Sequence, residues 1–552
     1  MNMQMENFYE VGYLPLLSGI LNDLGLRRKI YERVPVDRQC RTTVGEAVQL
    51  LVLDMLSGRN ALMNVDKWAA EQDLDQLLRP GLQASWFNDD ALGRHLDRLY
   101  EADIHQLYSA FQLHVYQHER IPMSVFHGDT TSMSVYGAYT KPSKALQIVE
   151  GYSRDRRGAK QIQFGLIGNS DGIPLYGDVH DGNTSDKTWN PDVLEKLHAQ
   201  CAAVKLNDFV YVADSAAMSK ATLDAAKGAS AYLLTRAPNQ LKIVKAALAS
   251  ADAPDASWSE PVSFVSSKEG ATYRWRAAEA EHEGHGLRLI VVESSALDKK
   301  KENTLTRERE AECDRLMQAA KEAAQSPFHC RADAEQAAEA FREGQSSRFH
   351  QVDVTVRPQE IVRKKRGRPK LGEVPQVETV YVVQAAITPD EARFQEARRR
   401  ASRFVLATTL PSEWRGETMD GTTLLGLYKG QIHIEMNFSF LKDPVYTDEI
   451  YLKKPERVKV LGYLFLLALT VYRVFQRRIR LHITEQNPMH GSGGRILRKP
   501  TAAAIFQIFK YRKVVVFRLP DGTRTRQFAR PLSKEEKRVL TSLGLDESVY
   551  LG

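Results

Sequence analysis

The chain has little cysteine: Cys40, Cys201, Cys313 and Cys330 lie far apart, with no C-x-x-C pair and no histidine at zinc-ligand spacing. That pattern argues against a disulfide framework and a zinc centre, and it suits a reducing compartment, so a cytoplasmic protein is expected. The N-terminal stretch MNMQMENFYE lacks a basic region followed by an apolar run, so no secretory signal is expected. No apolar run reaches the roughly 20 residues of a membrane span. The longest, Val460 to Val474, is interrupted near its end by Arg473 and reads as a buried helix, so no membrane partner is expected. Tandem repeats of fixed period are missing too, which argues against repeat architectures. Nor is charge of one sign in great excess. The net charge of +7 over 552 residues leans toward a polyanionic partner, and an ordinary basic enzyme fits it about as well.

What is present is a globular composition, 43% hydrophobic, in a chain too long for one ordinary core. Residues 1–118 read as a helical N-terminal domain. Thr43 and Glu46 make a capping box before Ala47, Val48, Leu51, Val52 and Met55, and Asn88 caps a second helical run. Such helices suit a DNA-end-binding module or a bundle packed on the core, and pattern alone does not separate the two. From 119 to 236 the period shortens. Segments 123–135, 161–168 and 173–180 read as a three-stranded meander with a turn at Asn169–Gly172. A helix near 187–206, a strand ending in Asp214, a helix near 219–227 and a strand at 231–235 follow, which is the pattern of a mixed α/β sheet. Residues 237–402 change character, with four strand-like pieces, a charge-rich helical segment at 298–345 and a basic linker at 363–370. They read as an insertion. The sheet pattern resumes over 403–485, with a helix carrying Glu435 and a long helix at 455–482, and 486–552 form a mixed C-terminal region.

Three acids stand out. Asp129 lies in mid-strand within Phe126-His-Gly-Asp129-Thr-Thr-Ser132, where a buried carboxylate needs a partner or a cation. Asp214 ends the strand Phe209–Asp214, at the edge where α/β sheets place their sites, although a strand-terminal aspartate is also a common helix cap. Glu435 belongs to a stretch expected to be one helix. On a wheel of about 100° per residue, Tyr428, Gln431, Glu435 and Lys442 fall within roughly 60° of one another. A polar stripe is usually a solvated face, which leaves its tyrosine and its two strand aspartates unexplained.

The spacing of Tyr428, Glu435 and Lys442 resembles the Tyr-x2-Arg-x3-Glu-x6-Lys signature of insertion-sequence DDE transposases of the family 4 superfamily, with Gln431 in the arginine position. The blocks GYSRDRRGAKQIQFGL, GNTSDKT, RFVLATT and YLKKPERVKVLGYL look like the family 1634 branch, and the likeness spans roughly residues 85–520. It implies an α/β fold, a ribonuclease-H-like mixed five-stranded sheet with a large α+β insertion and an N-terminal helical domain. It further implies Asp129 on the first strand, Asp214 on the fourth and Glu435 on a later helix, as catalytic and metal-holding residues. The long separation of Asp214 from Glu435 independently favours an inserted segment.

The chemistry implied is in-line phosphoryl transfer supported by two Mg2+ ions, for which Mn2+ can substitute, with Asp129 bridging the ions and Asp214 and Glu435 taking one each. Tyr428 and Lys442 are expected on phosphates near the cut. Gln431 supplies one neutral hydrogen bond where arginine offers a charged fork, and Lys429 is the candidate to compensate. His433 lies off the stripe, with a DNA-facing or packing role. Arg366 and Arg368 form the core of an AT-hook that would enter a narrow minor groove, against the simpler reading of a solvated linker. Trp258 and Trp275 are candidates for stacking on a displaced base, against ordinary core positions. The expected partner is double-stranded DNA, both transposon ends and target, synapsed by a homodimer. The rivals are a metal-dependent nuclease that cuts without joining, and a catalytically inactive DNA-binding relative.

Overall fold

The computed structural model describes all residues except 1–3, 38, 152–157, 203, 205, 207, 254, 265–269, 364–375, 444 and 446–449. Arg366 and Arg368, residues 152–157 of the GYSRDRRGAKQIQFGL block and Pro444 therefore lie outside the described residues. The chain forms two compact units, one of residues 1–236, 281–288 and 407–552, the other of 237–280 and 289–406.

The first unit is built on a mixed sheet. Strands β1 (Val125–Ser134), β2 (Lys160–Gly168) and β3 (Pro174–Asp181) form an antiparallel meander, and β4 (Phe209–Ala213) and β5 (Ala231–Ala237) add in parallel on the other side of β1. These five belong to a ten-stranded sheet rather than the five-stranded one expected, and among themselves their order is β3-β2-β1-β4-β5. The β2–β3 turn is set by side-chain chemistry: Asn169 Oδ1 accepts from the Asp171 and Ile173 amides, and Gly172, at φ +78°, takes the left-handed position. Parallel strands need a crossover. Between β3 and β4 it is helix α4 (Asp186–Ala202), and between β4 and β5 it is α5 (Lys220–Gly228), capped by Ser219.

The N-terminal helices belong to the same compact unit. Taking the earlier helices in chain order as α1 (Val44–Gly58), α2 (Asp89–Glu101) and α3 (Ile104–His118), the labels α4 and α5 follow them. The capping box of α1 is present, with Glu46 N–H on Thr43 Oγ1 and Thr43 N–H on Glu46 Oε2, and Asn88 caps α2 by accepting from the Ala91 amide. All three pack against one long helix, Pro455–His482, which also lies on β3. This helix is long and apolar enough to cross a membrane, yet 89% of its most apolar window is buried inside the protein. Leucine-sized side chains buried this way contribute about 1.5–3 kcal/mol each, so it serves as the central post of the unit. One element was not anticipated: Gln4–Tyr9, within the stretch read as helical, is a strand paired antiparallel with Val514–Arg518, which in turn pairs with Arg524–Phe528.

The second unit has its own small cores. Leu305, Phe349, Phe394 and Ala397 form one, and Ala338, Val354 and Val383 another, under a long antiparallel ribbon of His350–Val362 on Val377–Pro389. The charge-rich segment read as one helical stretch is two helices, Lys299–Ala324 and Arg331–Gly344, interrupted around Ser326-Pro327 because proline cannot continue the backbone ladder. Trp258 lies beneath two guanidinium groups, Arg274 at 4.8 Å and Arg403 at 5.3 Å from its ring centroid. Both arginines also pair with Glu293, so this indole is part of a packed ionic cluster. Trp275 is half-buried in the strand Thr272–His282, where its amide donates to Ser259 Oγ.

Candidate active site

Asp129 and Asp214 reach one place because of strand register. β1 and β4 are neighbours in parallel, with His127 opposite Val212, so the register carried two residues further sets Asp129 beside Asp214. Adjacent strands run about 4.8 Å apart. Gly128, next to Asp129, has a packing reason to be glycine: an added Cβ would lie 2.4 Å from the Tyr211 hydroxyl, which donates to Asn190 Oδ1. Asp129 is half-buried, and its Oδ1 accepts from the Thr130 amide at 2.8 Å. Asp214 caps a 3-10 turn through the Ala216 amide at 3.0 Å, and its carbonyl accepts from Thr235 Oγ1 on β5. The capping reading and a site role are compatible here, since one carboxylate oxygen is used by the turn.

Residues 421–442 are not the single helix that periodicity predicts. A first helix, α6 (Gly421–Lys429), ends at Gly430, and a second, α7 (Ile432–Leu441), starts after Gln431. Gly430 and Gln431 keep right-handed helical dihedrals at this junction, and Gln431 is buried. It is only 8% exposed, and its Nε2 donates to the Gly128 carbonyl at 3.0 Å. The rest of α7 keeps helical phase. Ser439 Oγ donates back to the Glu435 carbonyl, Asn437 donates to the Gly172 carbonyl of the β2–β3 turn, and Lys442 is the C-cap. Helix and strand are thus tied at two points.

One open pocket of about 580 Å³ is lined by Asp129, Thr130, Thr131, Ser132, Gln163, Asp214, Glu435, Phe438, Ser439 and Lys442. All three acids and Lys442 share it. Tyr428 lies within their field. Burial raises its hydroxyl pKa first of all, the charge of Arg236 opposes this, and Asp214, Glu435 and Asp129 each raise it further. Gln431 and Lys429 are placed otherwise, Gln431 in the packing beneath the site and Lys429 half-buried at the end of α6. His433 is half-buried on the other side of α7, with its imidazole pKa pushed down to about 4, by burial first and then by Lys499, Arg473 and Arg480.

Several lining residues escaped the sequence reading, although a signal existed for them. Phe438 and Ser439 stand three and four residues after Glu435, the helical spacing of one face, and Gln163 pairs opposite Ser132 across β1 and β2. Among the described residues, one trio of metal-capable groups has its ligand atoms within 4.8 Å of each other: Asp23, His118 and Glu119. Its carboxylates are already compensated by Arg478, which bonds both Asp23 and Glu119 at 2.5 Å. Asp129, Asp214 and Glu435 do not form such a trio, so at least one pair of their ligand atoms lies more than 4.8 Å apart.

A family model described as "Domain of unknown function (DUF4277)" matches residues 6–113, which covers the N-terminal helices and stops before β1. No curated protein matches the chain in sequence. Among solved structures, the chain is similar to a piggyBac transposase synaptic complex with hairpin DNA, at 8% identity and a TM-score of 0.37, over 90% of this chain and 78% of that one. It is also similar to the Mos1 transposase paired-end complex with left transposon end, at 13% identity and a TM-score of 0.15, over 35% of this chain and 60% of that one. For the Mos1 strand transfer complex the values are 13% and 0.16, over 39% and 64%.

Proposed function

We propose that this chain is a DDE transposase that binds the terminal repeats of a mobile element, cleaves DNA and transfers the ends to target DNA. One observation carries the reading: Asp129 and Asp214 from neighbouring parallel strands and Glu435 from a distant helix line one open pocket with Lys442. The strand order β3-β2-β1-β4-β5, with a meander followed by two parallel strands, is the arrangement a ribonuclease-H-like core requires. It supports that fold assignment; the resemblance to the family 4 superfamily and its 1634 branch rests on the sequence blocks alone.

The donor set fits a hard divalent cation. The pocket offers carboxylates, hydroxyls from Thr130, Thr131, Ser132 and Ser439 and the amide of Gln163, and no thiolate or imidazole. Asp129, Asp214 and Glu435 would hold Mg2+ or Mn2+, which when bound activates a water or 3′-hydroxyl and stabilises the leaving oxygen. The chain's own groups do the rest. Lys442, exposed beside the acids, offers a point charge to a phosphate. Tyr428 keeps its proton across the physiological range, so it serves as a neutral donor to a phosphate oxygen. A homodimer is the assembly that pairs two ends.

The test is cleavage of end-labelled duplexes carrying the ends of the encoding element, with Mg2+ or Mn2+. Wild type should nick and join them, while Asp129→Asn, Asp214→Asn and Glu435→Gln should bind DNA and do neither. Absence of cutting by wild type refutes the proposal; cutting that never leads to joining assigns a nuclease instead.

A further inference from the structure

A second cavity, of about 380 Å³, lies on the other side of α7 from the acidic pocket, and its chemistry is the reverse. His433 and Glu435 are two residues apart, about 200° around the helix, so α7 separates the two. His433, Arg477, Arg480, Arg498 and Lys499 line the cavity, with Asp171 and Glu485 as its acids. Two of these cations are already neutralised. Arg477 pairs with Asp171 at 3.3 Å, and Arg498 pairs with Glu485 at 3.3 Å. Arg480 and Lys499 have no carboxylate within ion-pair distance among the described residues. Arg480 donates Nε to the Pro500 carbonyl instead, and Lys499 is exposed.

Behind the cavity sits a further uncompensated charge. Arg473 is 3% exposed, and its Nε donates to the neutral Asn437 Oδ1 at 2.6 Å. It also lies 5.9 Å from the Tyr472 ring centroid, and the Gln476 amide oxygen, in its satisfied orientation, accepts from both Arg473 and Arg480. Burial pulls Arg473 down to about 10, and the nearby charge of Arg480 acts in the same direction. Cations near a helix C-terminus have a simpler use, since they complement the last carbonyls. That use does not extend to Arg473, more than two turns before the end of the helix at His482, or to Lys499, which lies on a separate segment. Guanidinium and ammonium groups held together at this cost call for an anion from outside.

We infer that this basic cavity seats a backbone phosphate of the bound DNA strand at a point away from the scissile one. Arg480 and Lys499 supply the donors, and Gln476 and the Pro500 carbonyl hold Arg480 in position. A phosphodiester is the suitable occupant because its two non-bridging oxygens accept several charged hydrogen bonds at once. The inference rests on the proposed DNA chemistry. It adds an anchor on the opposite flank of the Glu435 helix, so that DNA binding bears directly on the element that carries the third acid.

The experiment uses the full chain and a fluorescein-labelled duplex of about 40 base pairs, without metal, titrated by polarisation over a range of KCl concentrations. Lys499→Gln, exposed and safe for folding, is compared with Arg480→Gln/Lys499→Gln and with Lys227→Gln as a distant charge control. The double variant should bind about tenfold more weakly, and its plot of log affinity against log salt should be shallower by about one. Lys227→Gln should match wild type. Unchanged affinity and slope in the double variant, while wild type still cuts DNA in Mg2+, overturn this inference and leave the proposed function standing. Weakened binding in a chain that never cuts retains the anchor and removes the proposed chemistry. No DNA binding by wild type removes both. If inorganic pyrophosphate stabilises wild type but not the double variant, and DNA affinity is equal in the two, the cavity takes a small anion and the inference is wrong.

Discussion

The Gln431 side chain donates Nε2 to the Gly128 carbonyl at 3.0 Å, fastening the helix that carries Glu435 to the strand residue preceding Asp129. Two acids distant in sequence are therefore linked by one hydrogen bond between Gly128, next to Asp129, and Gln431, one helical turn before Glu435. Replacing Gln431 with alanine strips a buried carbonyl of its donor, which costs about 1–3 kcal/mol. Chemical denaturation should show that loss, and DNA cleavage should fall by more than DNA binding, since the bond orients a site residue. Equal losses in both would assign Gln431 a role in general stability alone.

Gly128 makes a second prediction about the same strand. Gly128→Ala puts a methyl against the Tyr211 ring and hydroxyl, within a hydrogen bond to Asn190. Overpacking of that kind costs about 1–3 kcal/mol, so the unfolding midpoint should fall. A variant as stable as wild type would mean that β1 and β4 are looser than described.

His95 predicts a pH dependence of stability remote from the pocket. It is 4% exposed, bonded through Nε2 to Thr42, and burial, aided by Arg98 and Arg94, pushes its pKa down to about 4. A base whose folded pKa lies below its unfolded value of about 6.5 stabilises the fold above pH 6.5 and loses that contribution as pH falls toward 4. The loss is on the order of 3 kcal/mol. Asp54 acts in the opposite sense, because burial raises it to about 6, so its contribution is present at low pH and fades as pH climbs from about 4 to 6. Urea midpoints between pH 4 and 7 should therefore show a shallower acid-side fall in His95→Gln than in wild type; parallel curves would contradict this.

Exchange of the pocket acids should separate metal binding from folding. Glu435 is exposed at the rim, so Glu435→Gln should leave the unfolding temperature in EDTA unchanged. Millimolar Mn2+ should raise it in wild type, by about 2.7 kcal/mol of stability at a hundredfold excess over the dissociation constant, and by less in the variant. The same Mn2+ response in both would place the ion elsewhere.

Local chemistry made much of this legible in the sequence. Segments rich in Val, Ile, Phe and Tyr mark β1 to β5, Thr43 and Asn88 mark helix starts, and Asp129 in mid-β1 and Asp214 just past β4 stand out as carboxylates. What stayed hidden depends on partners far along the chain. Gln4–Tyr9 becomes a strand because Val514–Arg518 is available to pair with it, and no local pattern encodes that edge. Gln431 looks like one member of a polar stripe, and only the Gly128 carbonyl, 303 residues earlier in the chain, shows that the side chain is buried against β1. Trp258 reads as a free aromatic until Arg274 and Arg403 arrive over its ring.

The most direct measurement of the central claim is anomalous diffraction from crystals of the DNA-bound chain soaked in Mn2+. Two manganese peaks about 4 Å apart among the carboxylates of Asp129, Asp214 and Glu435 are predicted, and both should vanish in Asp129→Asn. An empty pocket with DNA in place, or manganese found at Asp23, His118 and Glu119 instead, would contradict the account.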